Sequence, residues 1–142
     1  MRHQNFYISN YDWTIDVFYD TNEKDADTVL ECLKSIGCKG STLERATDNL
    51  YAGKRNTGLT FSKNRKSCIV LSKTTDKENF ANTLIHEIFH CSTHIAMEYD
   101  IDVFSEEPAY IAGDLGSVML SYASKFLCDC CKTKKYRSYE KR

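Results

Sequence analysis

The sequence predicts an α+β domain in which a short mixed sheet is backed by helices, with elements in the order β-α-α-β-β-α-α. Three features carry that expectation. There is a period-two run of aromatic and β-branched residues near the start, and two short apolar runs lie either side of a polar turn. Elsewhere, apolar residues recur three and four positions apart.

The first strand is Trp13-Thr14-Ile15-Asp16-Val17-Phe18-Tyr19, whose residue types suit a pleated, half-buried surface. From Asp25 to Ile36, Ala26, Val29, Leu30, Leu33 and Ile36 form one helix face, and Gly37 stands where a left-handed cap belongs. A shorter helix is predicted from Ser41 to Ala52, ending before Gly53. Gly58-Leu59-Thr60-Phe61 and Ser67-Cys68-Ile69-Val70-Leu71 read as two strands, and the polar stretch Lys63-Asn64-Arg65-Lys66 lets them form a hairpin. Thr75-Asp76-Lys77-Glu78 has the form of a capping box, in which a hydroxyl and a carboxylate satisfy the free amides of a helix start. The helix behind it carries Phe80, Leu84, Ile88, Cys91 and Ile95 and runs to Met97 or Tyr99. Ser105, with Pro108 close behind, opens a last long helix through Leu115, Val118, Met119, Tyr122 and Phe126.

A chain of 142 residues has room for one domain, placed at residues 1–131. Residues 132–142 hold six basic residues and one acidic, and read as a frayed basic tail. Nineteen basic against twenty acidic residues give a net charge of −1, which argues against a whole-domain grip on nucleic acid or anionic lipid. No apolar run approaches the roughly 18 residues a membrane span needs. Met1-Arg2-His3-Gln4-Asn5, followed by Phe6-Tyr7-Ile8, lacks the long apolar core of a secretory signal. Seven cysteines without such a signal read as reduced thiols, so the expected location is cytoplasmic.

The chemistry concentrates in the helix after the capping box, where His86-Glu87-Ile88-Phe89-His90 has the pattern H-E-x-x-H. Histidines one turn apart project about 40° from each other along one helix face, which lets two imidazoles take adjacent corners of a zinc tetrahedron. An isolated pair would be read as surface residues. Glu87 between them changes that reading: offset from the ligand direction, it is placed to take a proton from a water the metal has acidified. His94, a further turn along, is expected to line the cleft or face solvent. A catalytic zinc needs a third protein ligand and an open position. Glu106 and Glu107, at the start of the next predicted helix, are the candidates, against a plain role as acids favoured by the helix dipole.

Asn82-Thr83-Leu84-Ile85-His86-Glu87-Ile88-Phe89-His90, taken with Glu106-Glu107-Pro108-Ala109-Tyr110-Ile111-Ala112-Gly113, resembles the minimal gluzincins. These are single-domain zinc metallopeptidase-like proteins of phages and mobile elements, more distantly similar to the ImmA/IrrE group. The likeness extends loosely over residues 13–123, through the Trp13 strand and the Asn56-Thr57-Gly58 turn. It implies a zinc held by His86, His90 and a glutamate, with Glu87 as catalytic base. The family's Ala-Tyr three and four residues after the ligand, and glycine at seven, match Ala109, Tyr110 and Gly113 when Glu106 is the ligand; Glu107 is the alternative. Larger relatives carry an aspartate four residues after the ligand. Tyr110 stands there in this chain, leaving Asp102 and Asp114 as candidates for that supporting part.

The resulting expectation is a zinc-dependent metallopeptidase, a hydrolase acting on a restricted peptide or protein substrate in the cytoplasm, or the host cytoplasm if phage-encoded. An extended substrate would add to the free edge of the hairpin-containing sheet. Tyr110 and His94 are the possible oxyanion donors. The alternative is a zincin-fold protein that binds zinc and a partner without hydrolysis. Nucleic-acid binding through the tail and cysteines ranks below both. Cys128-Asp129-Cys130-Cys131 lacks the gap of a zinc knuckle and reads as an incidental thiol cluster, and Cys91 is expected to pack away from the metal.

Overall fold

The computed structural model describes residues 1–128. Eight principal elements follow in sequence: β1 (Arg2–Ile8), β2 (Trp13–Thr21), α1 (Ala26–Ser35), α2 (Gly40–Ala52), β3 (Gly58–Lys63), β4 (Lys66–Ser72), α3 (Lys77–Glu98) and α4 (Glu107–Leu127). The four strands form one mixed sheet in the order β1-β2-β4-β3. The central pair, β2 and β4, is parallel, and both outer pairings are antiparallel. The fold is therefore α+β, with one strand preceding the expected order.

That added strand has no hydrophobic alternation to announce it. Its polar residues are held by tertiary partners instead. His3 stacks on Phe18 at a centroid distance of 4.4 Å and meets Asp16 at 2.7 Å. Gln4 accepts from the Tyr19 hydroxyl and donates to the Val118 carbonyl of α4.

Side-chain alternation on the two central strands divides the core in two. Trp13, Ile15, Val17 and Tyr19 of β2, with Ile69 and Leu71 of β4, pack with apolar residues of α3 and α4. Phe18, Cys68 and Val70 on the opposite face pack with α1 and α2. Helices thus cover both faces of the sheet. Alpha4 packs back along α3, where the Ser92 hydroxyl donates to the Pro108 carbonyl.

The glycine stops act as the sequence indicates. Gly37 adopts φ 103°, and the Cys38 amide returns to the Leu33 carbonyl at 3.0 Å, closing α1. Gly53 adopts φ 62° after α2. Two starts are displaced by local hydrogen bonding. Asp76, not Thr75, caps α3, its carboxylate accepting from the Asn79 amide at 2.8 Å. The Thr75 amide is drawn away to the Asn56 side chain at 3.0 Å, so the expected box does not form there. Ser105 is engaged in a turn with the Asp102 carbonyl, and α4 begins at Glu107 with Pro108 in its first turn.

Cys32, Cys38, Cys68 and Cys91 are free thiols. Cys130, Cys131 and the basic tail at 132–142 lie outside the described residues. No helix among the described residues is long and apolar enough to cross a membrane.

Candidate metal centre

Alpha3 places His86 and His90 together on its exposed side, with ring centroids 4.7 Å apart and ring planes at 72°. Their Nε2 atoms are 3.1 Å apart. Two tetrahedral corners at ordinary zinc–nitrogen distances of roughly 2.0–2.1 Å lie about 3.3 Å from each other, so the two lone pairs suit one shared cation. A hydrogen bond between the rings is the other use of this geometry, and it engages only one lone pair.

Glu87, between them in sequence, faces strand β3. It is 4% exposed, and its Oε1 accepts from the Thr60 hydroxyl of β3 at 2.9 Å. A Cβ built on Gly58 would lie 2.6 Å from Oε2. The carboxylate is thus pressed against the backbone of the edge strand, held by a hydroxyl donor at one oxygen and admitted by a missing side chain at the other. Sequence reasoning missed both supports. The available signal was the spacing Gly58-Thr60-Ser62, which puts three small or hydroxyl residues on one face of a strand.

His94 ends a hydrogen-bonded run that starts in the core. The Trp13 indole donates to the Ser67 hydroxyl at 2.8 Å, Ser67 and Ser62 meet at 2.7 Å, and Ser62 meets His94 Nδ1 at 2.7 Å. An indole nitrogen only donates, so Trp13 fixes Ser67 as the acceptor at that end of the run. With Ser67 donating onward to Ser62, and Ser62 to Nδ1, the neutral His94 ring carries its proton on Nε2; the opposite direction puts it on Nδ1. Burial of the half-buried ring, and then the neighbouring His90, hold its pKa below the ordinary 6.5. His94 also lines a cavity of about 350 Å³ between the β3–β4 turn and the end of α3. Cys91 is fully buried, and burial pushes its thiol up to about 12, so it packs as a core residue.

The carboxylate candidates on α4 separate. Glu107 accepts from the Tyr11 hydroxyl at 2.7 Å, and burial together with that bond raises the Tyr11 pKa to about 12. The Glu106 carboxylate makes no hydrogen bond or ion pair among the described residues, and its carbonyl accepts from the Tyr110 amide at 3.1 Å. Tyr110 is 70% exposed. Asp102 accepts from the Phe104 amide, and neither it nor Asp114 hydrogen-bonds to a histidine. Among the described residues, no three His, Cys, Asp or Glu side chains converge as a metal-holding group. The two imidazoles are therefore brought together, and neither glutamate joins them.

No protein-family model, curated protein or solved structure matches the chain.

Proposed function

We propose that this protein is a zinc-dependent metallopeptidase of the gluzincin type. The observation that carries the reading is the pairing of His86 and His90 at 3.1 Å on the open side of α3, with Glu87 buried beside them against edge strand β3. A surface histidine pair needs no buried acid one residue away, supported by a hydroxyl and a glycine from another element.

Zinc bound by His86, His90 and a third ligand would polarise a scissile carbonyl and acidify a water. Glu106 is the third ligand in this reading. It has no competing partner, whereas Glu107 is engaged by Tyr11. Glu87 takes the proton of the attacking water and returns it to the leaving amine. Thr60 holds that carboxylate in one orientation throughout. The His94 Nε2–H donates to the developing oxyanion, with Tyr110 as a second donor. The free edge of β3 pairs with the substrate as an added strand, which brings its carbonyls to the same place. The substrate is a restricted peptide or protein in the cytoplasm, or the host cytoplasm for a phage-encoded protein.

The second reading, a zinc-binding protein without hydrolysis, is favoured by the fact that no carboxylate joins the two imidazoles among the described residues. Wild type and Glu87→Gln, both zinc-loaded, are compared on a peptide library digested and read by mass spectrometry. The peptidase reading expects cleavage by wild type only, with equal zinc in both. Identical products, or none, assign the chain to the second reading. Rapid, promiscuous cleavage of unfolded casein contradicts the restricted substrate.

A further inference from the structure

Opposite the histidine face, an open cavity of about 480 Å³ lies between α2 and the β3–β4 end of the sheet. Its floor is apolar, made by Ala46, Leu50, Leu59 and Val70. Its rim carries Arg45 and Lys54; no lining residue is itself acidic, and the Glu23 carboxylate stands against the lining Gly53. The ion pairs among the described residues are His3–Asp16 and Arg65–Asp12, so neither rim cation has an ion-pair partner there.

The cavity adjoins the site through β3. Gly58 lines it and also abuts the Glu87 carboxylate. Along the strand, Thr60 and Ser62 reach Glu87 and His94 on the α3 side. Leu59 and Phe61, between them, pack with the α1 and α2 core. A peptide paired with β3 has the same alternation, so side chains neighbouring the one at Glu87 face α2.

We infer that this cavity is a substrate subsite that takes an acidic side chain, glutamate before aspartate, next to the bond presented to Glu87. The inference rests on the proposed pairing of substrate with β3. The methylenes of the glutamate lie on the apolar floor, and its carboxylate meets Arg45 and Lys54. Aspartate is too short to use both.

The test reads binding, so it does not depend on hydrolysis. Fluorescein-labelled extended octapeptides of alanine and threonine, with one glutamate, glutamine or lysine moved through each position, are titrated against full-chain Glu87→Gln protein by anisotropy. At one position glutamate binds about five- to tenfold more tightly than glutamine, the scale of two partly exposed ion pairs, and the gap narrows with added salt. Arg45→Glu/Lys54→Glu reverses the preference to lysine, and the milder Arg45→Gln/Lys54→Gln removes it. Equal affinity for glutamate and glutamine at every position, no binding, or a preference untouched by the rim variants overturns the subsite. A glutamate preference that persists where wild type cleaves nothing leaves the subsite standing and removes the peptidase reading.

Discussion

Gly58 and Glu87 are in mutual contact so close that a methyl group on the glycine would come within 2.6 Å of Oε2, 2.7 Å of Cγ and 2.9 Å of Cδ. The backbone of Gly58 is not in the left-handed region, so the requirement for glycine at this place is spatial. Beta3 and α3 therefore fit each other around one acid.

Gly58→Ala tests that fit. The methyl group must displace the Glu87 side chain or part β3 from α3, at a cost of about 1–3 kcal/mol by overpacking. Cleavage should fall about a hundredfold, the scale of a 1 Å misplacement, while zinc stays bound. Gly113→Ala is the control, because nothing lies within 4 Å of its added Cβ; it should be neutral or slightly stabilising in the helix. Melting curves, zinc content and kcat/KM are measured together, and unchanged turnover in Gly58→Ala contradicts the account.

Thr60→Val keeps the shape of the side chain and removes the donor to Glu87 Oε1. A buried acceptor left without its partner costs about 1–3 kcal/mol. The variant should lower both the urea midpoint and the cleavage rate, and Thr60→Ser should recover most of each. If valine and serine behave alike, the hydroxyl has no part in holding the acid.

A run in which each hydroxyl donates onward, from Trp13 through Ser67 and Ser62 to His94, makes a spectroscopic prediction. Nitrogen-15 NMR of wild type should show neutral His94 protonated at Nε2. Ser62→Ala removes the donor to Nδ1 and should give a mixture of tautomers. A wild-type ring protonated at Nδ1 contradicts the direction of the run.

The lowered pKa of His94 has a defined sign in stability. The unfolded chain takes up a proton near pH 6.5 and the folded chain only below that. Stability is therefore lost as pH falls from about 6.5 through the lower folded value, and is unaffected by this group above 6.5. Urea midpoints between pH 5 and 8, in EDTA, should fall less on acidification for His94→Gln than for wild type. Parallel curves contradict the assignment of the shift to this ring.

What the sequence discloses and what it hides divide along physical lines. Period-two burial in Trp13-Ile15-Val17-Tyr19, helical spacing in α1 and the glycine stops at 37 and 53 are local patterns, and each appears in the fold where it was read. Beta1 is hidden because burial alternates along it while hydrophobicity does not: the inward Arg2 and Gln4 are polar and find their partners on α4. The two histidines and the acid between them were legible because one helix carries all three. Thr60, Gly58 and Ser62 were not, since their contacts with α3 join residues about 30 apart in sequence across a strand–helix interface. The distinction between Glu106 and Glu107 likewise depends on Tyr11, which lies 96 residues from Glu107 in the chain.

Zinc per chain, measured after exhaustive dialysis of wild type, His86→Ala, Glu106→Ala and Glu107→Ala, decides whether the paired imidazoles hold a metal. One zinc is expected in wild type and in Glu107→Ala, with loss of the metal from His86→Ala and Glu106→Ala. A wild-type chain that retains no zinc, or a His86→Ala chain that retains it in full, rules out a zinc centre at this histidine pair.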